Sequence, residues 1–286
     1  MNIGELQKKY NSLDHLDLEL LIAKSIHKPK NFILIHPEHK LSFLEKISLI
    51  YFIYLRKKGY SVATIIGHKE FYGLDFFINK KVLIPRPETE LMVEEVIQEI
   101  TNYKLQITNK IILIDVGTGS GCIPISILKN IKKPIQTFAI DISRPALRIA
   151  KKNAKKHGVK INFLYSNLLE PILKKYPSLP TPHTLLITAN LPYITEEQYQ
   201  NEPSIQQEPK NALVADKQGL ALYEELLQQI KLLNPTFHFP VSIFLEIDPS
   251  QTKAISNLIQ QILPKANFEI KKDLAGLDRL VKITKN

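Results

Sequence analysis

A chain of 286 residues exceeds what one small core needs and suits one large domain with a smaller companion. Apolar residues at 44% and charged residues at 23% exclude a disordered protein, and the single cysteine, Cys122, excludes an internal disulfide framework or a cysteine-held zinc. The net charge of +10 invites a nucleic-acid reading, but Lys, Ile and Asn are abundant along the whole chain. The excess is therefore read as spread over solvated faces, and direct nucleic-acid binding is not expected.

The first residues, from Met1 to Lys9, have no apolar core of the kind a secretion signal carries. The greasiest run, 47–55, is about half the length a bilayer crossing needs. These features predict a cytoplasmic protein without membrane contact.

Residues 1–74 read as helical and carry no chemistry. Ser12 can cap a first helix in which Leu13, Leu16 and Leu20 share a face. A second helix is expected over 41–58, stopped by Gly59, with Ile47, Ile50, Tyr51, Tyr54 and Leu55 packed on the first. Leu49, Phe52 and Ile53 make it apolar around much of its girth. Residues 71–83 read as two short strands about an Asn79-Lys80 turn, and the hairpin linker between the domains is placed at 75–87. Next, Ile84-Pro85-Arg86-Pro87-Glu88-Thr89-Glu90 forms a stiff passage whose end opens a helix through Leu91, Val93, Val96 and Ile97.

From 111 onward strands and helices alternate. Apolar strands are expected at 111–116, 137–140, 161–164, 185–188 and 241–245, with helices at 123–129, 145–157, 220–232 and 252–262. Two closing strands near 268–271 and 279–284 follow each other without a helix. The pattern specifies an α/β, doubly wound, mostly parallel seven-stranded sheet over 88–286.

Two loops of this sheet carry the chemistry. Asp115-Val116-Gly117-Thr118-Gly119-Ser120-Gly121 lies between a strand and a helix, and Asp141 ends the next strand. Glycines let backbone approach a ligand, and an acid at that strand end can accept both hydrogen bonds of a ribose diol. The glycine spacing differs from the G-x-G-x-x-G that seats a pyrophosphate. A cofactor with a ribose and a charged amino-acid tail but no phosphate, S-adenosylmethionine, fits better, with Asp115 facing its ammonium. The second loop is Asn190-Leu191-Pro192-Tyr193, entered from a buried strand. An amide nitrogen is a poor nucleophile because its lone pair is delocalised. Acceptor oxygens on both of its N–H groups would favour a geometry in which the lone pair faces a methyl donor. Asn190 offers a side-chain oxygen, Pro192 holds the Leu191 carbonyl extended, and Tyr193 offers a flat wall. Cys122 is read as a packing residue.

With these blocks, the chain resembles the release-factor glutamine N5-methyltransferases, the HemK-type family. The likeness extends to Asp141-Ile142-Ser143, Asn153-Ala154, Glu208-Pro209-Lys210-Asn211-Ala212-Leu213, Gly219-Leu220, Leu245-Glu246-Ile247 with Gln251, and the stretch from Asp273 to Arg279. The resemblance implies that the substrate is the glutamine of the Gly-Gly-Gln loop of peptide-chain release factors, and that 1–74 helps to dock that protein. It implies a cofactor site of Gly117 to Gly121, Asp141, Asn167 and Leu168, with Asn190 touching both ligands. Asn190 and the Leu191 carbonyl would accept from the glutamine NH2, with Pro192, Tyr193 and Arg86 on the substrate side. No metal is implied, and a monomer is expected.

Two positions depart from the family: its turn reads Asn-Pro-Pro-Tyr, and an Asp is usual where Asn167 stands. The alternative is an adenine-N6 methyltransferase of ribosomal RNA, since such enzymes also spell this turn Asn-Leu-Pro-Tyr.

Overall fold

The structure is a computed structural model that describes residues 1–102, 110–175, 183–233 and 240–285. It begins with helices α1 (Ile3–Lys9), α2 (His15–Ser25), α3 (Lys30–Ile35), α4 (Phe43–Lys57) and α5 (Val62–Ile66). These share a core of their own, built from Ile3, Leu18, Leu21, Ile22, Leu49 and Ile53 among others. Three details differ from the sequence reading. The cap of α2 is Asp14, whose side chain accepts from the Asp17 amide, because Ser12 lies outside the helix. That register buries Leu18, Leu21 and Ile22 and leaves Leu16 exposed. On α4, Leu49 and Ile53 face the bundle, so the stripe expected inside points to solvent instead. Phe43 and Leu44 are 75% and 73% exposed, and Ile47, Ile50, Tyr51 and Tyr54 are about half exposed or more.

The hairpin also sits earlier than expected. Strands β1 (His68–Phe71) and β2 (Leu74–Phe77) pair about Tyr72-Gly73 rather than Asn79-Lys80. Both turn residues have positive φ, 49° and 68°, the combination that matches the twist of a tight hairpin. A short 3-10 turn, Pro87–Thr89, then leads into α6 (Glu90–Asn102).

The alternating part runs through β3 (Lys110–Val116), α7 (Cys122–Asn130), β4 (Gln136–Asp141), α8 (Arg144–His157), β5 (Asn162–Tyr165), α9 (Glu170–Lys175) and β6 (His183–Ala189). It continues with α10 (Glu196–Asn201), α11 (Ala221–Leu233), β7 (Val241–Glu246), α12 (Thr252–Ile262), β8 (Asn267–Lys272) and β9 (Asp278–Lys285). The strands form one sheet ordered β5-β4-β3-β6-β7-β9-β8, with β9 antiparallel to both neighbours. Alternation along β3 explains why its apolar residues are consecutive rather than alternate. Ile112, Ile114 and Val116 face a core with α11 and α12, whereas Ile111 and Leu113 face one with α6 and α7.

Strand order reverses between β3 and β6, and Val116 pairs with Ala189. The glycine loop and the Asn190 turn therefore leave the sheet side by side at its carboxyl edge, where open α/β sheets bind ligands.

Candidate active site

The glycine loop is tied to the end of β4. The amides of Gly117 and Thr118 both donate to the Ile140 carbonyl at 2.9 Å, and the Gly119 amide donates to Asp141 Oδ2 at 2.8 Å. Asp141 Oδ1 accepts from the Ser143 amide at 2.7 Å. This carboxylate thus shapes the loop with one lone pair of each oxygen while it lines a cavity of about 320 Å³. Burial pushes its pKa up, and the two amides oppose that. Gly117 has φ 72°, and a Cβ there would come within 2.8 Å of the Leu191 side chain, so glycine lets the two loops touch.

Gly117, Gly119, Asp141, Asn167, Leu168, Asn190, Leu191 and Pro192 all line this cavity. Asn167 donates its amide NH2 to Glu225 at 2.7 Å, which leaves its carbonyl oxygen for a ligand. Leu168 holds φ 43°, a left-handed conformation that costs leucine on the order of 1 kcal/mol.

Asp115, Thr118, Ser120 and Gly121 are not on the wall. Asp115 is fully buried beneath the loop; one oxygen accepts from Thr188 Oγ1 at 2.7 Å, and the other has no hydrogen-bond partner. Burial raises its pKa to about 7, offset in part by the Thr188 hydroxyl. Arg86 does not reach the cavity either. Its guanidinium pairs with Glu208, which also accepts from the Ile84 amide at 3.0 Å, so this arginine clamps the stiff passage onto the Glu-Pro block. Cys122 is buried and its thiol is pushed up to about 12 by desolvation, as suits a packing residue.

The turn after β6 is held at Asn190, Leu191 and Tyr193. Asn190 Nδ2 donates to Thr89 Oγ1 at 3.1 Å, which fixes the amide and leaves its oxygen uncommitted. The Leu191 amide donates to Tyr223 Oη at 3.3 Å, and that hydroxyl donates to the Glu246 carbonyl. Tyr193 Oη donates to Glu246 Oε1 at 3.1 Å, and the Tyr193 carbonyl accepts from Gln251 Nε2 at 2.7 Å. Tyr193 is therefore anchored at both ends and lies outside the cavity lining. Glu246 is buried, and desolvation raises its pKa against the hydroxyls of Thr89 and Tyr193. Ile194 bridges to 213–215, which brings Asn211 and Ala212 of the Glu-Pro block to the cavity rim. Thr89, Tyr223 and Glu246 were not singled out by sequence reasoning as site residues. Their signal was a place inside the matched blocks for Thr89 and Glu246, and none for Tyr223.

A family model described as a methyltransferase small domain matches residues 89–179. A release factor glutamine methyltransferase from Clostridium botulinum is 34% identical over 289 residues, covering 99% of this chain and 96% of that protein. One from Bacillus anthracis is 31% identical and covers 95% and 93%. The chain belongs to the release factor glutamine methyltransferase family.

A solved structure of the human Mettl16 catalytic domain with an RNA hairpin superposes with a TM-score of 0.54. It is 15% identical and covers 77% of this chain and 79% of that one, a likeness of fold alone. Within a release factor glutamine methyltransferase, Leu191 replaces a proline that would have no N–H. The extra donor is satisfied by Tyr223, and the leucine side chain is buried against the glycine loop.

Proposed function

We propose that this protein transfers a methyl group from S-adenosylmethionine to the side-chain amide nitrogen of the glutamine in the Gly-Gly-Gln loop of peptide-chain release factors. The observation that carries this reading is the Asn190 amide at the cavity wall, with its NH2 bound by Thr89 and its oxygen open. An oxygen fixed in that sense accepts from a substrate NH2, whereas the reverse orientation would repel it.

The pocket suits the cofactor. Its volume lies in the range of small-molecule sites. Asp141 has lone pairs left for a ribose diol, Asn167 has an oxygen left for an adenine amino group, and the buried Asp115 keeps one unpaired oxygen under the loop. The donor supplies an electrophilic methyl on a cationic sulfur. Asn190 and the Leu191 carbonyl then orient the acceptor nitrogen, and Tyr193, anchored to Glu246 and Gln251, fixes the turn that carries them. Positioning of this kind can contribute several kcal/mol without a strong base.

Residues 1–74 form the recognition module in this reading, and 88–286 the catalytic domain. The exposed stripe Phe43, Leu44, Ile47, Ile50, Tyr51 and Tyr54 has the apolar, aromatic composition of a protein-docking surface. Ile50→Asp with Tyr54→Ala should raise KM for the release factor while leaving cofactor affinity unchanged. The decisive experiment is incubation with labelled S-adenosylmethionine and either purified release factor or ribosomal RNA, followed by mass mapping of the methyl. Methylated glutamine in wild type and none with Asn190→Ala is expected. Equal turnover by the variant would remove the assignment, and methyl on ribosomal adenine instead would favour the RNA reading.

A further inference from the structure

The positive charge of this protein is not spread evenly. Between residues 116 and 169 lie ten of the 38 Lys and Arg but one of the 28 Asp and Glu, so this stretch holds nine of the ten net charges. The one acid, Asp141, is buried at the cavity. The fold gathers the stretch at one edge of the sheet, where β5 is the outermost strand and α8 packs against it. Arg144, Arg148, Lys151 and Lys155 recur at helical spacing and are all exposed, a row about 16 Å long at 1.5 Å per residue. Lys152, Lys156 and Lys160 flank it.

A trough follows this row. A hollow of about 210 Å³ beside the cofactor mouth is lined by Arg144, Arg148 and Tyr165. A second, about 440 Å³, is lined by Lys155 and Lys160, and both share Lys151 and Phe163. Aromatic rings alternate with the cations. The Arg144 guanidinium stacks 4.1 Å from the Tyr165 ring, which is half exposed, and Lys151 lies 6.0 Å from Phe163. Lys156 is paired with Asp75, but Arg148, Lys151, Lys155 and Lys160 have no acidic partner among the described residues.

We propose that this α8–β5 face binds single-stranded RNA, with the cation row on the phosphates and the Tyr165 and Phe163 rings offering stacking surfaces for bases. The choice of RNA over other polyanions rests on the release-factor reading, which puts the enzyme beside the translation machinery. The face does not resemble a protein-docking surface, because such interfaces are depleted in lysine, and the apolar α4 stripe already has that composition. Phosphate contacts with interleaved rings are the chemistry of single-strand binding.

The test uses the full chain, fluorescein-labelled single-stranded RNA of mixed sequence, and anisotropy across a salt series. Arg148→Glu with Lys151→Glu and Lys155→Glu should lower the log–log salt slope by about 2, at roughly 0.7 per phosphate contact, a loss of about a hundredfold near 0.1 M salt. Lys8→Glu with Lys9→Glu and Lys57→Glu changes the net charge equally on exposed sites elsewhere. That control should bind within about threefold of wild type, because distant surface charges are screened. Thermal melting, cofactor affinity and release-factor methylation should be unchanged in both variants. The proposal is overturned if wild type fails to bind RNA, if the control loses as much affinity as the face variant, or if duplex DNA binds more tightly. It is also overturned if polyglutamate displaces the RNA as well as unlabelled RNA does, or if methylation of the release factor falls in the face variant. Either of the last two would make the face a site for an acidic protein. Because anisotropy is read without methyl transfer, failure here is distinct from failure of the catalytic reading.

Discussion

Replacing Thr89 by valine removes one oxygen and little else, since the two side chains have nearly the same shape and position 89 is 2% exposed. The oxygen lost is the acceptor for Asn190 Nδ2, and its hydroxyl also helps to offset the desolvation of Glu246. A hydrogen bond of this kind is worth about 1 kcal/mol net, and a donor stranded against a methyl group adds up to about 2 kcal/mol. The relief available to Asn190 is rotation of its amide, which turns NH2 into the cavity and takes the oxygen away from the acceptor. At 1.4 kcal/mol per tenfold, a shift of that size makes the productive orientation the minor one and lowers kcat by roughly 5- to 140-fold. Cofactor affinity should not change, because Asp141 and Asn167 are untouched. The assay is turnover of release factor with labelled donor, beside calorimetric titration of the cofactor. Thr89→Ser, which keeps the hydroxyl, should restore most of the rate. In an Asn190→Ala background Thr89→Val should have no further effect, since the two act as one unit. A folded Thr89→Val enzyme with kcat within about twofold of wild type would refute the reasoning.

Three more outcomes follow from the geometry. Gly219 has φ 82°, and a Cβ there would lie 1.8 Å from the Tyr193 carbonyl oxygen, so Gly219→Ala should cost about 3 kcal/mol or more in denaturant unfolding. An unchanged midpoint would mean that the two backbones do not meet. Asp141→Asn leaves a single acceptor oxygen for the Gly119 and Ser143 amides, and titration should show cofactor affinity down by about 10- to 100-fold, the worth of one charged hydrogen bond. Asp115 titrates near 4 when unfolded and at about 7 when folded, so the folded, cofactor-free protein holds a proton that the unfolded chain has released. Its stabilising contribution is complete below about pH 4 and is lost as pH rises to about 7. The stability of Asp115→Asn relative to wild type should therefore climb across that window by up to about 4 kcal/mol and then level off. A difference that is flat with pH would show that Asp115 carries no such shift.

What the residues determined alone was the layer pattern and the two chemical loops. Buried strands are continuous apolar runs, glycine loops need their glycines, and Asn190-Leu191-Pro192-Tyr193 is local in sequence, so each could be read from its own neighbours. Nine of ten net charges in one stretch were also countable in advance, though not where that stretch would lie. Tertiary structure decided the rest. Helical periodicity marks two apolar stripes on α4 but not which one meets α2, and packing gave Leu49 and Ile53 the core. Thr89 lies 101 residues from Asn190 and Tyr223 lies 32 from Leu191, so no local pattern could couple them. The sheet's change of winding direction brings these partners together. Arg86 likewise pairs with Glu208 across 122 residues, whereas the family resemblance implied a place for it on the substrate side.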